Sequence, residues 1–320
     1  MGEAEAIGID VGGTKINAFR VARDGSILDR STAPTPAEDQ EATLAAMIGL
    51  ADGLRTERVA AVGIGAAGLV EVASGVLRFA PNNAWREFPI VARVREAIGL
   101  PCQVDNDATV AAWGEYRFGA GRGYRHLLLV TVGTGIGGGI VADGRLFRGA
   151  HGFAAEIGHI IVEPGGPECG CGNRGCWEQV AAGRAIDRLG RAAARSPEGA
   201  ALRDLAGGDA GAVNGRHVTE AAMHGDPTAI GILAEVGRRL GEGIAGLVNV
   251  LDPEAVIVGG GAALAGDLLL EPARAAYRDA VQAPEHRPQV PILPAALGND
   301  AGAVGAAALA LEELVDTEGP

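Results

Sequence analysis

The chain has 320 residues, 48% of them apolar, enough for one large or two ordinary domains with real hydrophobic cores. Its formal net charge of -13 excludes nucleic acid and anionic membrane as charge-recognised partners, because binding phosphate by charge needs an excess of Lys and Arg. No apolar run reaches bilayer length, MGEAEAIGID has no basic-then-apolar leader, and cysteines are few; these features imply a cytoplasmic protein with small-molecule partners.

Residues 5 to 10, EAIGID, read as a strand ending at Asp10. The turn Val11, Gly12, Gly13, Thr14 leads to a second strand, INAFRVA, and past Asp24-Gly25 to a third, SILDRS. Pro36 to Arg55 has helical spacing, VAAVGIGAAGLV reads as a buried strand entering a Gly-rich turn, and residues 89 to 98 read as a short helix. Then PCQVDNDATVAAWGEYRFG gives a strand to about Val104, the triplet Asp105-Asn106-Asp107, and a helix from Ala108.

The opening pattern then returns. HLLLVTV at 126 to 132 runs into Gly133-Thr134-Gly135-Ile136-Gly137-Gly138-Gly139, a further strand, Asp143-Gly144 and RLFRG. Strand, Gly/Thr turn, strand, Asp-Gly turn, strand occurs twice, which predicts duplicated α/β domains facing each other across a cleft. Beyond a Cys-rich stretch, residues 178 to 195 read as helical, and 196 to 215 are too broken by Gly to assign and read as a mobile excursion. A long helix follows from Pro227 to about Asn249, with Gly231, Gly237, Gly241 and Gly246 allowing close packing. AVIVGGG gives a strand and a triple-Gly turn containing Gly260 and Gly261. An Ala-rich helix starting at Asn299-Asp300 is expected to return to the first domain. The expected division is 1–108 plus about 300–320, with the first phosphate turn and Asp107, and 109–299, with the second turn, the Cys-rich loop and the nucleotide side.

Gly-rich strand turns present backbone N–H groups with no side chain in the way, as a phosphate requires. Gly12, Gly13, Thr14 and Lys15 in one half, and Gly133, Thr134, Gly135, Gly137 and Gly138 in the other, could hold the two ends of a triphosphate. Asp10 would bind Mg²⁺ through water, since Mg²⁺ dehydrates reluctantly. Lys15 is the only lysine among the 27 basic residues, and its compact ammonium suits a phosphate. Neither turn ends in the Lys-Ser/Thr of a Walker motif, which disfavours a P-loop fold.

Asp107, just ahead of a helix, reads either as an N-cap or as a base that orients a sugar hydroxyl attacking a γ-phosphate. The helix N-terminus is expected to lower its pKa, which is tolerable because the proton leaves late in a loose phosphoryl-transfer transition state. Asn106 can donate to and accept from adjacent sugar hydroxyls. Asp105 reads as structural.

Three of the four cysteines, Cys169, Cys171 and Cys176, lie within eight residues among Gly170, Gly172 and Gly175. Three thiols and an imidazole suit tetrahedral Zn²⁺, with His159 as the fourth ligand and no position left for water, so the zinc would be structural. The alternative is a set of free thiols in a Gly-rich turn; a disulfide fits less well, because three cysteines cannot pair evenly and Cys102 is remote. Glu156, His159 and Glu178 flank the cluster and suit gripping of a polyhydroxylated ligand.

With DVGGTK at 10–15, DNDA at 105–108, GTGIGGG at 133–139, Glu-x-x-His at Glu156 and His159, and CxCGxxGCxE at 169–178, nearly the whole chain resembles the repressor, open-reading-frame and sugar-kinase (ROK) family. The resemblance implies an actin-like ATPase fold of two ribonuclease-H-like α/β domains, with sugar and Mg-ATP in the cleft. It implies Asp107 as the base on a hexose 6-hydroxyl, Asn106, Glu156, His159 and Glu178 on the sugar, and zinc on His159, Cys169, Cys171 and Cys176. It adds Gly68 and Asn82 as sugar contacts, and homodimers or dimers of dimers. APNNAWRE, DNDATVAAWGEYRFGAGRG and HGFAAEIGH look most like the glucose-phosphorylating members. Asn83, where relatives commonly carry an apolar residue, leaves mannose, fructose and the N-acetylated hexosamines open as substrates. Repressor members carry a helix-turn-helix ahead of the first turn, for which Asp10 lies too near the start.

Overall fold

The computed structural model describes residues 4–80 and 84–317. The chain folds as two compact units, one made of Met1–Leu129, Gly138–Ala155 and Ala295–Pro320, the other of Val130–Gly137 and Glu156–Pro294.

The chain opens with β1 (Glu5–Val11), β2 (Lys15–Ala22), β3 (Ile27–Pro34), α1 (Gln40–Leu54), β4 (Val59–Ala66), β5 (Leu69–Glu71), β6 (Val76–Phe79) and β7 (Arg86–Phe88). It continues with α2 (Ile90–Ile98), β8 (Cys102–Asn106), α3 (Asp107–Phe118), β9 (Leu127–Val132), β10 (Ile136–Ala142) and β11 (Arg145–Leu146). Then come α4 (Glu178–Ala181), α5 (Gly183–Ala193), α6 (Ala200–Leu205), α7 (Gly215–Met223), α8 (Pro227–Leu251), β12 (Ala255–Gly259), α9 (Asp267–Ala280), β13 (Ile292–Pro294) and α10 (Ala301–Thr317).

The two five-stranded sheets share one plan, β3-β2-β1-β4-β8 and β11-β10-β9-β12-β13, and β5, β6 and β7 form a small third sheet. Hairpin strands lie at one side of each large sheet and crossover strands at the other, so the repeat seen in the sequence is a repeat of topology. In the first sheet β1 runs antiparallel to β2 and parallel to β4, and β4 parallel to β8. Parallel strands bury both faces and read as continuous apolar runs, as VAAVGIGA of β4 does. One face packs Ile7, Ile9, Val62 and Ile64 against Leu44, Met47, Ile90 and Val94 of α1 and α2. The other packs Ala6, Phe19 and Ala61 against Ala303, Val304, Ala307 and Leu311 of α10, so the last helix does return to the first sheet. It lies there without spacing: a Cβ on Gly8 or Gly63 would stand 1.8 or 1.9 Å from the carbonyl oxygens of Ala303 and Ala306.

Residues 196–215 differ from their expected mobile excursion. They hold two 3₁₀ turns and α6, with Leu202 and Val213 fully buried, because the apolar residues between the glycines reach a core. The helical stretch from 178 breaks at Ala182, which is extended at φ -117 and ψ -176 and separates α4 from α5. Among the described residues no helix is long and apolar enough to cross a membrane.

Candidate active site

Register places the first cluster. Asp10 on β1 pairs with Asn17 on β2 and Gly65 on β4, and Gly65 in turn with Asp105 on β8. Asp10, Gly65 and Asp105 therefore form one row near the carboxyl ends of three parallel strands, the edge at which open α/β sheets bind ligands. Gly65 is required there: a Cβ would stand 2.5 Å from Cγ2 of Val110, in the first turns of α3, and 3.6 Å from Cα of Asp107. Asp10 lies against the other end of the chain, where a Cβ on Gly302 of α10 would be 2.9 Å from its carboxyl carbon. Burial, and next the charge of Asp107, push the Asp10 carboxyl up to about 7, against a hydrogen bond from Asn17 and the charge of Lys15.

The N-cap of α3 is Asn106, not Asp107. The Asn106 side-chain oxygen accepts from the N–H groups of Ala108 at 2.9 Å and Thr109 at 3.1 Å, and Asp107 is the first helical residue. Capping is thus met by the neighbour, and Asp107 is released from that role. Its carboxyl stands above the ordinary range, because burial outweighs the hydrogen bond from the Ala108 N–H. The expected lowering by the helix terminus is present and loses. Asn106 Nδ2 donates to the Gly68 carbonyl at 3.1 Å, joining two predicted contacts and leaving one amide N–H unused by that bond. Gly68 has φ +123, and a Cβ would meet the Phe79 carbonyl oxygen at 2.1 Å. Asp105 is structural as read: it is buried, accepts from Arg148 Nε at 2.6 Å and from the Asn106 N–H at 2.9 Å. Asn82 lies outside the described residues.

In the turn between β1 and β2 the Gly12 N–H donates to the Lys15 carbonyl at 3.0 Å, and Thr35 Oγ1 donates to the Gly12 carbonyl at 2.8 Å. Gly12 and Gly13 are half-buried, while Thr14 and Lys15 are exposed.

The second unit builds its own cluster on Gly133, Thr134 and Gly135, where the Gly133 N–H donates to the Gly135 carbonyl at 3.0 Å. Three pieces of chain press on this turn. Gly183 at the start of α5 donates to the Gly133 carbonyl at 2.9 Å, and the Arg184 N–H donates to the Thr134 carbonyl at 3.3 Å. Gly158, inside the 3₁₀ turn Ile157–His159, lies where a Cβ would be 2.1 Å from the Ile136 carbonyl oxygen. Glu178 covers Gly135, whose Cβ would be 2.2 Å from Glu178 Oε2. Gly137 and Gly138 fall within β10 and not in the turn, and Gly138 is buried. Gly260 has φ +86 and backs onto the Val132 carbonyl, while Gly261 faces open space.

His159, Cys169, Cys171 and Cys176 offer one ligand atom each, all within 4.8 Å of one another. His159 Nδ1 is 3.6 Å from Cys169 Sγ, and Cys171 Sγ is 3.6 Å from Cys176 Sγ. The edge of a zinc tetrahedron built on bonds of 2.0–2.3 Å is about 3.3–3.8 Å, so the residues fit a tetrahedral ion. The loop is shaped by Gly172 at φ +93 and Gly175 at φ +76, the latter packed on the Glu163 carbonyl where no side chain fits. Burial and the neighbouring thiols push Cys176 up to about 12; a cation would reverse that cost by binding the thiolates. The other ring nitrogen of His159, Nε2, lies 3.9 Å from Glu156 Oε2, so the imidazole spans the thiols and a carboxylate. Glu178 Oε1 accepts from the Cys169 thiol at 3.1 Å and from Gln179 at 2.9 Å.

A sequence model of the ROK family matches residues 6–313. The chain belongs to the ROK family. A ROK relative, the glucokinase of Streptomyces coelicolor, is 45% identical over 309 residues, covering 96% of this chain and 97% of the relative. An N-acetylmannosamine kinase of Escherichia coli is 36% identical over 313 residues, 96% of this chain and 98% of the relative. The crystal structure of a ROK family glucokinase from Streptomyces griseus in complex with glucose and AMPPNP has a TM-score of 0.90 at 44% identity, covering 97% of this chain and all of that one. The fold is therefore the actin-like ATPase fold that the ROK motifs imply. Reading the ROK sequence missed Asn17, Gly65, Thr35, Arg184 and Gly302. Strand pairing would have found Asn17 from the Asp10 hairpin; the others depend on contacts between distant segments.

Proposed function

We propose that the protein transfers the γ-phosphoryl group of Mg-ATP to the 6-hydroxyl of glucose. The observation that carries this reading is the carboxyl edge of the first sheet, where Asp10 at a phosphate turn stands within electrostatic reach of Asp107 at the start of α3. A residue for the nucleotide's metal and a base for the nucleophile thus occupy one edge. The substrate assignment is supported by the glucokinase relative at 45% identity and the glucose- and AMPPNP-bound structure at 44%.

In the transfer, the sugar 6-oxygen forms a bond to the γ-phosphorus as the bond from that phosphorus to the β–γ bridging oxygen breaks. ADP leaves with the bridging oxygen, and the hydroxyl proton passes to the Asp107 carboxylate. The raised pKa of Asp107 makes it a better proton acceptor, while in a loose transition state its main contribution is to aim the hydroxyl. The spare amide N–H of Asn106 and the Gly68 segment complete the sugar contacts of the first unit, and Gly12, Gly13, Thr14 and Lys15 face phosphate. In the second unit Glu156, His159 and Glu178 take sugar hydroxyls, while Gly133, Thr134, Gly135, Gly137, Gly260 and Gly261 form the nucleotide side. Asp10 would hold Mg²⁺ through water, and the ion would neutralise phosphate charge.

Zinc would be held by His159, Cys169, Cys171 and Cys176. Four protein ligands leave no open position, so it would stiffen the loop and fix the His159 ring. A metal-bound thiolate has no proton to donate, so if Cys169 held zinc, Glu178 would keep only the Gln179 hydrogen bond and could accept from a ligand hydroxyl. Cys171→Ser should lose zinc and weaken glucose binding together; unchanged glucose affinity in a zinc-free mutant contradicts the positioning role. A cytoplasmic homodimer or dimer of dimers completes the reading, and light scattering tests the assembly.

The functional test is ADP release from Mg-ATP with glucose, mannose, fructose, N-acetylglucosamine and N-acetylmannosamine, with a no-sugar control. Glucose should give the highest kcat/KM. A preference for N-acetylmannosamine, the substrate named for the Escherichia coli relative, would keep the chemistry and replace the sugar, and no turnover on any hexose would sink the kinase reading. Asp107→Asn should bind glucose normally and lose about 10²–10⁴-fold in kcat; near-normal turnover removes Asp107 from the base role.

A further inference from the structure

Lys15 carries the only side-chain amine in the protein, every other basic residue of the 27 being arginine. It opens β2 directly after the Gly12–Thr14 turn, and its carbonyl accepts the Gly12 N–H at 3.0 Å, so backbone geometry ties it to that turn. Alternation along β2 puts it on the face of Asn17, whose side chain hydrogen-bonds to Asp10. The Lys15 side chain is exposed, and among the described residues no hydrogen bond or ion pair holds its ammonium. Arginines elsewhere are extensively engaged, as in the bidentate pairs Arg30–Asp300 and Arg93–Glu41. The one side-chain amine is therefore unengaged and stands beside the turn proposed to receive phosphate.

We infer that Lys15 is a modification site for acyl phosphates, with the turn Gly12–Thr14 binding the reagent's phosphate and presenting its carbonyl to the amine. The inference rests on the phosphate-binding role proposed for that turn. The unprotonated Lys15 nitrogen attacks the acyl carbon, a C–N bond forms, and the C–O bond to the phosphate group breaks. Inorganic phosphate leaves with the bonding electrons, and the amine proton goes to solvent. The product amide is uncharged, so one acylation removes the only ammonium of the first phosphate turn. Because guanidinium groups do not compete for the reagent, chemistry that would scatter over many lysines elsewhere is confined here to one residue of the nucleotide site and the N-terminal amine. Acylation then switches phosphoryl transfer off.

The test treats the full chain with acetyl phosphate and follows acetylation by peptide mass mapping, with residual ADP release from Mg-ATP and glucose measured in parallel. The expected result is acetylation at Lys15 with activity falling in proportion. Mg-ATP without sugar, at about ten times its dissociation constant, should slow the modification about elevenfold by occupying the turn. Lys15→Arg should take no acetyl group at this position and lose no activity relative to its own untreated sample. An unmodified Lys15, or modification at equal rates with and without nucleotide, overturns the inference. Absence of ATP turnover before any reagent is added overturns the kinase reading instead; competition by inorganic phosphate in the mass readout then decides the Lys15 site alone.

Discussion

Asp10 shows how the site trades stability for function. In the folded chain its carboxyl titrates at about 7, against 3.8 for the free group, because burial and Asp107 disfavour the charge. Between those values the folded state binds one proton more than the unfolded state, so this residue lowers stability as pH rises through the window. Asp10→Asn should therefore raise the Tm of the Mg²⁺-free protein at pH 8, by the equivalent of a few kcal/mol, and leave it nearly unchanged at pH 4. Phosphoryl transfer should be lost in the same variant. A lower Tm at pH 8 would mean that the ionised carboxylate stabilises the fold, and that Asn17 and Lys15 outweigh burial. The residue types of this site were legible because their chemistry is sparse: one Lys, three clustered Cys, one Asp-Asn-Asp. Their division of labour was not, since whether Asn106 or Asp107 caps α3 is a matter of one residue in the helix start, and sequence reading places such boundaries only within a few residues.

At the scale of elements, glycine separates what pattern can and cannot say. The four glycines expected to pack α8 closely fall into two classes. A Cβ on Gly237 would meet the Leu269 carbonyl oxygen at 2.3 Å, and one on Gly241 the Ala273 carbonyl oxygen at 2.1 Å, both on α9. Gly231 and Gly246 face open space. Gly243, outside that expectation, lies under the Trp177 ring, where a Cβ would stand 2.1 Å from Cε2. Helical spacing marks the apolar face, but which glycine meets a neighbouring backbone is set by a second helix whose position the spacing does not encode. Gly231→Ala should stabilise by about 0.5–1 kcal/mol through helix propensity. Gly241→Ala should destabilise by about 1–3 kcal/mol, because a backbone carbonyl cannot rotate away as a side chain can. Urea unfolding of the pair decides this, and equal effects of one sign would show that the α8–α9 contact does not set the glycine requirement.

For the whole molecule, the duplicated strand order was legible because each half repeats its turn chemistry, Gly-Gly-Thr or Gly-Thr-Gly and then Asp-Gly, at matching intervals. The return of α10 to the first sheet was legible only as an expectation from the Ala-rich run, and the contacts of Gly8 and Gly63 are what fix it. Net charge acts at this scale as well. At -13 the protein presents a long-range field that opposes the approach of Mg-ATP, itself an anion, whereas the phosphate contacts proposed for the two turns would act only locally. Salt separates the two effects by range: the Debye length falls from about 30 Å at 0.01 M to about 8 Å at 0.15 M, which removes the distant repulsion before it weakens contacts of a few ångströms. Raising KCl across that interval should therefore increase kcat/KM for Mg-ATP by about twofold or more, with the effect in KM. Glucose is neutral, so its kcat/KM at saturating nucleotide should stay constant and serves as the internal control. A fall in kcat/KM for Mg-ATP would assign control of nucleotide capture to the local cation at Lys15, and the acetylated protein should then lose that salt dependence.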